Sequence, residues 1–530
     1  MYFKNLIIGS GPTGAVAAAE ILKNNKEVTI LDVGFTLEEK NSNIKNNFLR
    51  DKNIKVFKNQ INNNDKNYKK YKNPNLKFPF GSDFVFRSNG IENFFFKNNL
   101  DILSSNAEGG LSNIWGTICS PFFREDIKSW DINYSDYYRN LKDTEELMPI
   151  MSSVDNLDNF FDIKIGKKHN YNLSELSSDL IMFLKENEKD LNKSGIFYGR
   201  SKLAVSNKYS LNNVDCQECG LCHYGCPYDC MFNSKFLLEK LKNNKNFTYH
   251  NNILVISIDR KEEVNILNCL DIKKNQKILV ECKNLFLCSG AYSTAHILLR
   301  SNLVKKKKLT LKESQRFYIP FFYKGKTGNN LYEKKNTLPE LFLEIFNQNI
   351  CGKSIHLQFY TFNDLMFKPF KKIFGPFAGI ILKFFSFFFN RVVVLVGYLH
   401  SDYSSKININ LSDNILSSEI DLEVNQESEK IVKKTINFLR EKLSKKFFIV
   451  NSLLNINPPG SSYHYGSSLP MSASIMKEDS TSLNGELKNY NNIFVLDSSI
   501  LPDMPGSPTT FNTAVNVSRI INNLSKKNIL

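Results

Sequence analysis

Residues 2–32 read YFKNLIIGSGPTGAVAAAEILKNNKEVTILD. The apolar run Tyr2–Ile8 predicts a buried strand, and Gly9–Gly14 predicts a tight turn. An Ala-rich helix follows over Ala15–Lys23, and Glu27–Asp32 predicts a second strand. A strand, a turn, a helix and a second strand in this order are typical of a parallel, doubly wound sheet.

The turn has the G-x-G-x-x-G spacing of a dinucleotide site. The first glycine permits the tight turn, the second lets a pyrophosphate approach the backbone, and the third lets the helix pack closely on the strand. The helix N-terminus adds N–H donors and positive potential, and an acidic residue at the end of the next strand accepts from ribose hydroxyls. The predicted contacts are Gly9, Gly11, Pro12, Thr13, Gly14 and Asp32. The alternative is a glycine turn in a sheet that binds no ligand.

Three later glycine turns favour FAD over NAD as the ligand. They lie at Glu108–Gly116, Ser289–Ala291 and Asp497–Pro508. A flavin dinucleotide is a large ligand and needs such additional contacts.

The bulk composition indicates an ordinary globular protein. The 530 residues are 42% hydrophobic and 23% charged, which suits two or more lobes with sizeable cores. The net charge is +16, but only 11 of the 69 basic residues are Arg. Lys, Asn, Ile and Phe are overused throughout, so we interpret the charge as a solvated Lys-rich surface and expect no nucleic-acid partner. No secretion signal precedes the first strand, and we therefore expect a cytoplasmic location.

The remaining segments suggest a second lobe. Residues 35–79 are Lys/Asn-rich with little periodicity, and we expect a surface insertion with short elements there. We predict helices at Glu175–Lys189, with Ser174 as N-cap, and at Glu427–Lys446. Strands are predicted at Ser354–Tyr360 and Val392–His400.

Five segments, in order along the chain, resemble the glucose–methanol–choline (GMC) oxidoreductase family. They are Gly9–Gly14, Glu108–Asn113, Trp130 with Tyr134, Tyr137 and Tyr138, Leu285–Ala291, and Asn492–Pro502. The resemblance implies an α/β fold with a Rossmann-type FAD-binding lobe and an α+β substrate-binding lobe built on an antiparallel sheet. The FAD lobe would comprise residues 1–120, 206–310 and 456–530, and the substrate lobe residues 121–205 and 311–455. Further cofactor contacts are implied at Gly109, Gly110, Ser112, Asn113, Val255, Gly290, Asp497 and Thr509.

The resemblance also implies catalytic positions near the C-terminus. His464, in Ser461–Gly466, matches the family's base, which removes the hydroxyl proton while hydride passes to flavin N5. An imidazole suits this role because its ordinary pKa lies near neutral. The family's second position, usually His or Asn before a Pro, is here Ser507. A serine there could hydrogen-bond a substrate hydroxyl, but the pattern favours a plain N-cap with Pro508 at the first helical position. Asn512, one turn further on, is the alternative polar group.

A cysteine cluster follows residue 215. Cys216, Cys219, Cys222 and Cys226, before Pro227, have the spacing of ferredoxin iron–sulfur ligands. The segment also resembles that of iron–sulfur sugar dehydrogenases within the GMC family, whose [3Fe–4S] ligands would match Cys216, Cys222 and Cys226. We therefore predict a [3Fe–4S] or [4Fe–4S] cluster, with a zinc site or free thiols as alternatives.

An aromatic stretch at 374–389 is flanked by Lys368, Lys371, Lys372 and Arg391 and interrupted by Lys383. It is too short to span a bilayer. We favour a helix buried in the substrate lobe, and the alternative is peripheral membrane contact by an interfacial helix.

Together these features predict an FAD-dependent oxidoreductase that converts an alcohol, and by resemblance a sugar or polyol, to a carbonyl. An electron-acceptor protein or a quinone is the expected oxidant of the flavin. Two alternatives keep the flavin: a net non-redox sugar isomerisation or epimerisation, and an electron-transfer flavoprotein without an alcohol site.

Overall fold

The structure is a computed structural model. It describes residues 1–64, 76–88, 91, 102–168, 172–209, 214–329, 333, 335–363, 366, 373–411, 418–449, 454–474 and 476–530. Lys368, Lys371 and Lys372, and part of the expected insertion at 35–79, lie outside the described residues.

The strands, in chain order, are β1 Tyr2–Ile8, β2 Val28–Leu31, β3 Met151–Ser152, β4 Lys167–Lys168, β5 Ile196–Arg200, β6 Phe247–His250, β7 Ile253–Lys261, β8 Val264–Asp271, β9 Gln276–Leu287, β10 Lys308–Glu313, β11 Arg316–Tyr323, β12 Leu341–Ile345, β13 Ile355–Thr361, β14 Val392–Tyr398, β15 Lys406–Leu411, β16 Ser418–Glu423, β17 Phe447–Ile449, β18 Asn455–Ile456, β19 Tyr465–Gly466 and β20 Ile493–Val495. The α-helices are α1 Pro12–Lys23, α2 Glu39–Asp51, α3 Ile54–Asn64, α4 Tyr134–Leu147, α5 Asn156–Phe161, α6 Glu175–Glu186, α7 Glu188–Lys193, α8 Ser234–Leu241, α9 Ala291–Arg300, α10 Ala378–Phe384, α11 Ser386–Phe389, α12 Glu427–Leu443 and α13 Thr509–Lys526.

The first sheet has a parallel part in the order β6-β2-β1-β9-β20, and the antiparallel hairpin β7–β8 pairs with the first half of β9. The last four residues of β1 and all of β2 are buried, as expected of parallel strands covered on both faces. Helix α1 is Ala-rich along its buried length, and these small side chains let it pack closely against both the sheet and α13.

The second sheet is antiparallel, in the order β17-β11-β14-β13-β12-β5, with β18 also paired to β11. Its buried side chains form one core with those of α6 and α12. A smaller antiparallel sheet, β16-β15-β10-β19, connects this part of the chain to the C-terminal region. The predicted fold class, a Rossmann-type lobe with a second lobe on an antiparallel sheet, is confirmed.

The predicted helix cap at Ser174 is confirmed, because its hydroxyl accepts a hydrogen bond from the Ser177 N–H at 3.2 Å.

The expectation that residues 35–79 have little periodicity was wrong. The described part forms α2 and α3, which place apolar side chains four residues apart and bury them against the loop that carries the cysteines. These side chains are Ile44, Phe48, Phe57 and Ile61, with Leu221 and Tyr224 opposite. The i, i+4 spacing was present but sparse among Lys and Asn.

The interpretation of 374–389 as a buried helix was also wrong. In α10 only Ala378 is buried, and α11 has no buried residue. No described helix is long and apolar enough to cross a membrane.

Candidate active site

The glycine turn between β1 and α1 is built as its spacing predicted. Gly9 has a φ of +97°, in the region that favours glycine. A Cβ atom added at Gly14 would lie 2.0 Å from the Gly9 carbonyl oxygen, whereas one added at Gly11 would meet no heavy atom within 4 Å. Gly14 therefore lets the helix approach the turn, and Gly11 leaves open space in front of the helix N-terminus.

That open space belongs to a long cleft along the carboxyl ends of the parallel strands. Most of the predicted cofactor contacts line it: Gly9, Gly11, Pro12, Thr13, Asp32, Gly110, Ser112, Val255, Gly290, Asp497 and Thr509. The cleft continues past Trp115 to Tyr463 and Tyr465. Gly14, Gly109 and Asn113 do not line the cleft but lie just behind it.

The acidic residue at the end of β2 lies at one end of this cleft. The Asp32 carboxyl accepts hydrogen bonds from the hydroxyls of Ser10 and, at 3.1 Å, Tyr249. Burial raises the pKa of Asp32 to about 7. The hydrogen bonds from Ser10 and Tyr249 offset this effect of burial only in part, and ribose hydroxyls would be further donors that stabilise the charge.

The loop at Gly109–Asn113 is tied to the glycine turn. Gly109, with a φ of +85°, donates its N–H to the Ser10 hydroxyl at 2.9 Å. The Ser112 hydroxyl donates to the Gly109 carbonyl at 2.5 Å, and the Asn113 amide donates to the Gly110 carbonyl at 2.7 Å. Ser112 and Asn113 thus fix the loop that brings Gly110 against Gly11.

A second tie joins the turn after β9 to the turn after β20. The Thr294 hydroxyl donates to the Asp497 carboxyl at 2.5 Å, and Asp497 also accepts from the Ser499 N–H at 2.9 Å. Gly290 has a φ of +82°, and a Cβ there would meet nothing within 4 Å. Gly11 and Gly290 thus both leave open space within one cleft, which fits a large ligand such as FAD.

His464 lies beside the far end of the cleft. Its two chain neighbours, Tyr463 and Tyr465, line the cleft. The imidazole stacks on Tyr398, with ring centroids 4.6 Å apart. Its Nδ1 is buried and has no hydrogen-bond partner among the described residues. Burial, together with the positive charge of Arg316, lowers the pKa of His464 to about 3, so the ring is neutral and one nitrogen carries a lone pair.

Four consecutive residues, Glu313–Arg316, hold the loop that carries His464. The Glu313 carboxylate accepts from the Gly460 N–H and the Ser462 hydroxyl, each at 2.9 Å. The Ser314 N–H donates to the His464 carbonyl at 2.9 Å, and the Arg316 guanidinium donates to the Ser461 carbonyl at 3.0 Å. All four residues are buried.

The residue before His464 is strained. Tyr463 has a φ of +65°, a conformation that costs an L-residue about 1–3 kcal/mol. Arg316 lies 4.7 Å from the centre of the Tyr463 ring and contributes a cation–π contact. Such strain, held by a buried charge, is typical of functional sites.

Sequence reasoning missed a row of polar side chains across the second sheet. Glu344 on β12 is opposite His356 on β13, which is opposite Tyr398 on β14, which is opposite Arg316 on β11. Directly opposed residues share a face of the sheet, so the row presents these side chains together beneath His464. The His356 Nδ1 lies 2.6 Å from the Glu344 carboxylate. No local signal could reveal the row, because it depends on the register of four strands.

The two candidates for the second catalytic position differ in the structure. Asn512 is fully buried, accepts from the Tyr137 hydroxyl, and donates to the carbonyls of Ser120 (2.9 Å) and Pro508 (2.7 Å). This geometry does not favour a catalytic role for Asn512. The reading of Ser507 as an N-cap was wrong: α13 begins at Thr509, Pro508 is the N-cap residue, and no side chain caps the helix. The Ser507 hydroxyl is buried and has no partner among the described residues.

The predicted iron–sulfur ligands border one small cavity, together with Cys230. They do not fit a metal centre as they stand. Among the described residues, no group of three or more His, Cys, Asp or Glu side chains is placed to hold a metal ion. Burial raises the pKa of Cys219 to about 12, and the Cys222 pKa is also raised by burial. Metal ligation needs thiolates, and these surroundings favour thiols at Cys219 and Cys222 but not at Cys226, whose pKa is lowered to about 7 by its hydrogen bond with Cys230.

Comparisons with known proteins agree with this geometry. A family model for GMC oxidoreductases matches residues 3–335. No curated protein matches the sequence. Among solved structures, pyridoxine 4-oxidase from "Mesorbium loti" is similar, with a TM-score of 0.60 and 11% sequence identity over 98% of each chain. At that identity the likeness concerns the fold alone.

Proposed function

The chain belongs to the GMC oxidoreductase family, whose members bind FAD, and from that membership we propose that it oxidises an alcohol group of a small molecule to a carbonyl. His464 is the proposed base. A sugar or polyol is the proposed substrate class, by resemblance of the cysteine segment to sugar dehydrogenases.

The observation that carries the proposal is the placement of a neutral imidazole between two residues that line the cofactor cleft. His464 has a buried Nδ1 without a protein partner in the described part of the chain. Burial and Arg316 keep its pKa near 3, so the base is unprotonated at any physiological pH. A buried nitrogen without a protein partner, beside a ligand cleft, suits a group that forms its hydrogen bond with a bound substrate.

The predicted cofactor contacts that line the cleft would hold FAD, which when bound supplies a two-electron acceptor for hydride. The alcohol loses a hydride from carbon and a proton from oxygen, and His464 takes the proton. Tyr398 fixes the plane of the imidazole by stacking, and Glu313–Arg316 fix its backbone.

Ser507 remains the proposed second polar group. Its hydroxyl is buried, unpaired in the described structure, and in the family's matching position. Gly506 beside it packs against the backbone of Tyr398 and His356, where a Cβ would lie 2.8 Å from the Tyr398 carbonyl oxygen. Ser507 therefore belongs to the same corner of the molecule as the stacked imidazole.

Flavin bleaching tests the proposal. The purified protein is examined anaerobically with a panel of sugars, polyols, simple alcohols and pyridoxine, after which the structurally similar oxidase is named. We expect one class to bleach the flavin and to yield the carbonyl product. His464→Ala should slow bleaching about 10²–10⁴-fold with unchanged flavin content. His250→Ala, on β6 at the edge of the first sheet, is the matched control and should bleach at the normal rate.

Other outcomes separate the alternatives. Conversion of a sugar without net bleaching would favour the non-redox reaction. If every alcohol failed to bleach the flavin while a reduced protein donor succeeded, the alcohol oxidation would be refuted and an electron relay favoured. Adding a water-soluble quinone to substrate-reduced protein tests the proposed acceptor class.

The iron–sulfur prediction rests on the cysteine spacing and on the resemblance of this segment to iron–sulfur sugar dehydrogenases, and no step above depends on it. Iron and acid-labile sulfide are measured after anaerobic purification. Near-stoichiometric amounts of both, lost in Cys222→Ser, would establish a cluster. Their absence would leave four thiols in an ordinary loop.

A further inference from the structure

The exposed hydrophobic side chains of this protein are concentrated in one place. Of the 19 large hydrophobic residues exposed among those described, eight lie between Ile373 and Phe388. We define residues 373–389 as the aromatic helix pair. Its exposed side chains include Phe384 at 81% and Phe377 at 66%. Single exposed hydrophobics are common on soluble proteins, but a cluster of this kind marks a contact surface.

The helix pair is attached firmly to the second sheet. Phe388 packs on Phe322 of β11, with ring centroids 6.0 Å apart, and Phe389 packs on Phe362 at 5.4 Å. Phe448 of β17 is directly opposite Phe322 in the sheet and is 62% exposed. The hydrophobic surface therefore continues from the helices onto the edge of the sheet, and a rigid scaffold supports it.

The charges within the chain segment that carries the aromatic helix pair have one sign. Between residues 365 and 401 the sequence has no Asp or Glu but five basic residues, Lys368, Lys371, Lys372, Lys383 and Arg391. The first three lie outside the described residues and count here as sequence charges only. Lys383 is exposed within α10, and Arg391 lies 4.7 Å from the centre of the Phe387 ring. Basic side chains beside exposed aromatic rings suit an anionic lipid surface, to which each contributes about 1 kcal/mol of attraction.

From these observations we propose that the aromatic helix pair, with Phe448, binds the surface of a bilayer that contains acidic phospholipids. The segment of 373–389 is too short to cross a bilayer and is interrupted at Gly375 and Phe385, so it lies in the interface. An interface with a protein partner has a rim of polar, hydrogen-bonding groups around its apolar centre, and this phenylalanine-rich surface has few such groups. A second copy of the chain would bring like charges together.

The proposal is independent of the proposed reaction, although the same strands serve both. Strands β11 and β14 carry Arg316 and Tyr398 at one end and Phe322 and Val392 at the other. Six residues of strand separate the two ends, roughly 20 Å. Binding would hold the substrate lobe against the bilayer without occluding the His464 loop.

Vesicle co-sedimentation of the full-length protein tests the proposal. We expect binding to phosphatidylcholine vesicles that contain phosphatidylglycerol, weaker binding to phosphatidylcholine alone, and a decrease with salt. Phe384→Ser with Phe387→Ser should weaken binding at least about tenfold. Lys383→Glu should also weaken it by roughly tenfold or more, because it changes two charges. Val154→Ser with Met476→Ser, which alters exposed hydrophobics at 82% and 89% outside the surface, is the matched control and should bind normally.

Two results would overturn the proposal. One is no binding to the anionic vesicles by protein whose flavin content and thermal transition are normal. The other is equal binding by the Phe384→Ser, Phe387→Ser protein and the control protein. If sedimentation velocity showed a dimer that the double Phe variant dissociates, and vesicles bound neither form, the surface would be a self-association interface instead. None of these measurements uses substrate, so their outcome is separable from that of the alcohol assay.

Discussion

Two alanine substitutions in the glycine turn should have opposite consequences, although they lie three residues apart. At Gly14 the added Cβ would lie 2.0 Å from the Gly9 carbonyl oxygen, and ordinary contact begins near 3.4 Å. The obstacle is backbone, so no side-chain rotation relieves it, and α1 must shift by over an ångström (roughly) against a close-packed sheet. Such overpacking costs typically ~1–3 kcal/mol of unfolding free energy.

At Gly11 the added Cβ would meet nothing within 4 Å, and the backbone, with φ of −61° and ψ of −178°, is accessible to alanine. Replacing an N-cap glycine by alanine costs under ~1 kcal/mol. The new methyl group, however, fills the space in which a pyrophosphate would contact the helix N-terminus. We expect FAD affinity to fall at least ~10-fold, equivalent to ~1.4 kcal/mol, while the apo protein stays nearly as stable as the parent.

The assay pairs thermal unfolding of the apo protein with FAD titration by flavin fluorescence. Gly14→Ala should lower the apo midpoint by several degrees, roughly 2–4 °C for each kcal/mol lost. Gly11→Ala should leave the midpoint almost unchanged and weaken binding. Gly379→Ala, at another glycine with nothing within 4 Å but in the exposed α10, should change neither quantity. If Gly11→Ala bound FAD with normal affinity, the dinucleotide would not lie over this turn and the assignment of the cleft would fail.

Two further predictions concern protons. Because burial holds the Asp32 pKa at about 7 and ribose hydroxyls favour its charged form, FAD binding at pH 6 should release most of one proton, and affinity should rise as the pH rises to 7. Calorimetry in two buffers of different ionisation enthalpy measures the release, and Asp32→Asn should abolish it. His400 is buried and burial lowers its pKa to about 3. The unfolded chain therefore binds the proton first, and stability is lost as pH falls from 6.5, by ~1.4 kcal/mol per pH unit. Thermal midpoints from pH 6.5 to 4.5 should fall less in His400→Asn, and an equal fall in both proteins would contradict the assignment.

The geometry of the glycine turn after β1 could be predicted from sequence because its determinants are local. Gly9, Gly11, Gly14 and Asp32 act through contacts within one strand–turn–helix unit, and their spacing encodes those contacts. The later turns at Gly110 and Gly290 were recognisable for the same reason. Pairing between distant residues could not be predicted from the sequence. An example is the Thr294–Asp497 hydrogen bond, which joins the turn after β9 to the turn after β20.

Solvent exposure was the least predictable property. A run of Phe and Ile reads equally well as a core helix or a surface helix, since hydrophobicity does not say which neighbours are available. Conversely, the many Lys and Asn residues of α2 and α3 obscured their helical pattern, although their few apolar residues suffice to form a small core over Leu221. In both places the tertiary partner, not the local pattern, determined burial.

The position of His464 is set by contacts with two sheets and not by its own loop alone. The residue after His464 begins β19, whose pairing with β10 sets Tyr465 opposite Glu313. Three residues further along the chain, Arg316 begins β11, where it is opposite Tyr398, the ring on which His464 stacks. One short corner of chain, 313–316, thus joins the His464 loop, whose Tyr463 and Tyr465 line the cleft, to the second sheet. A change in this corner is expected to move His464 relative to the cleft and to the second sheet, while the glycine turns lie on other strands. The position of the proposed base and that of the proposed cofactor site are therefore controlled by different strand pairings.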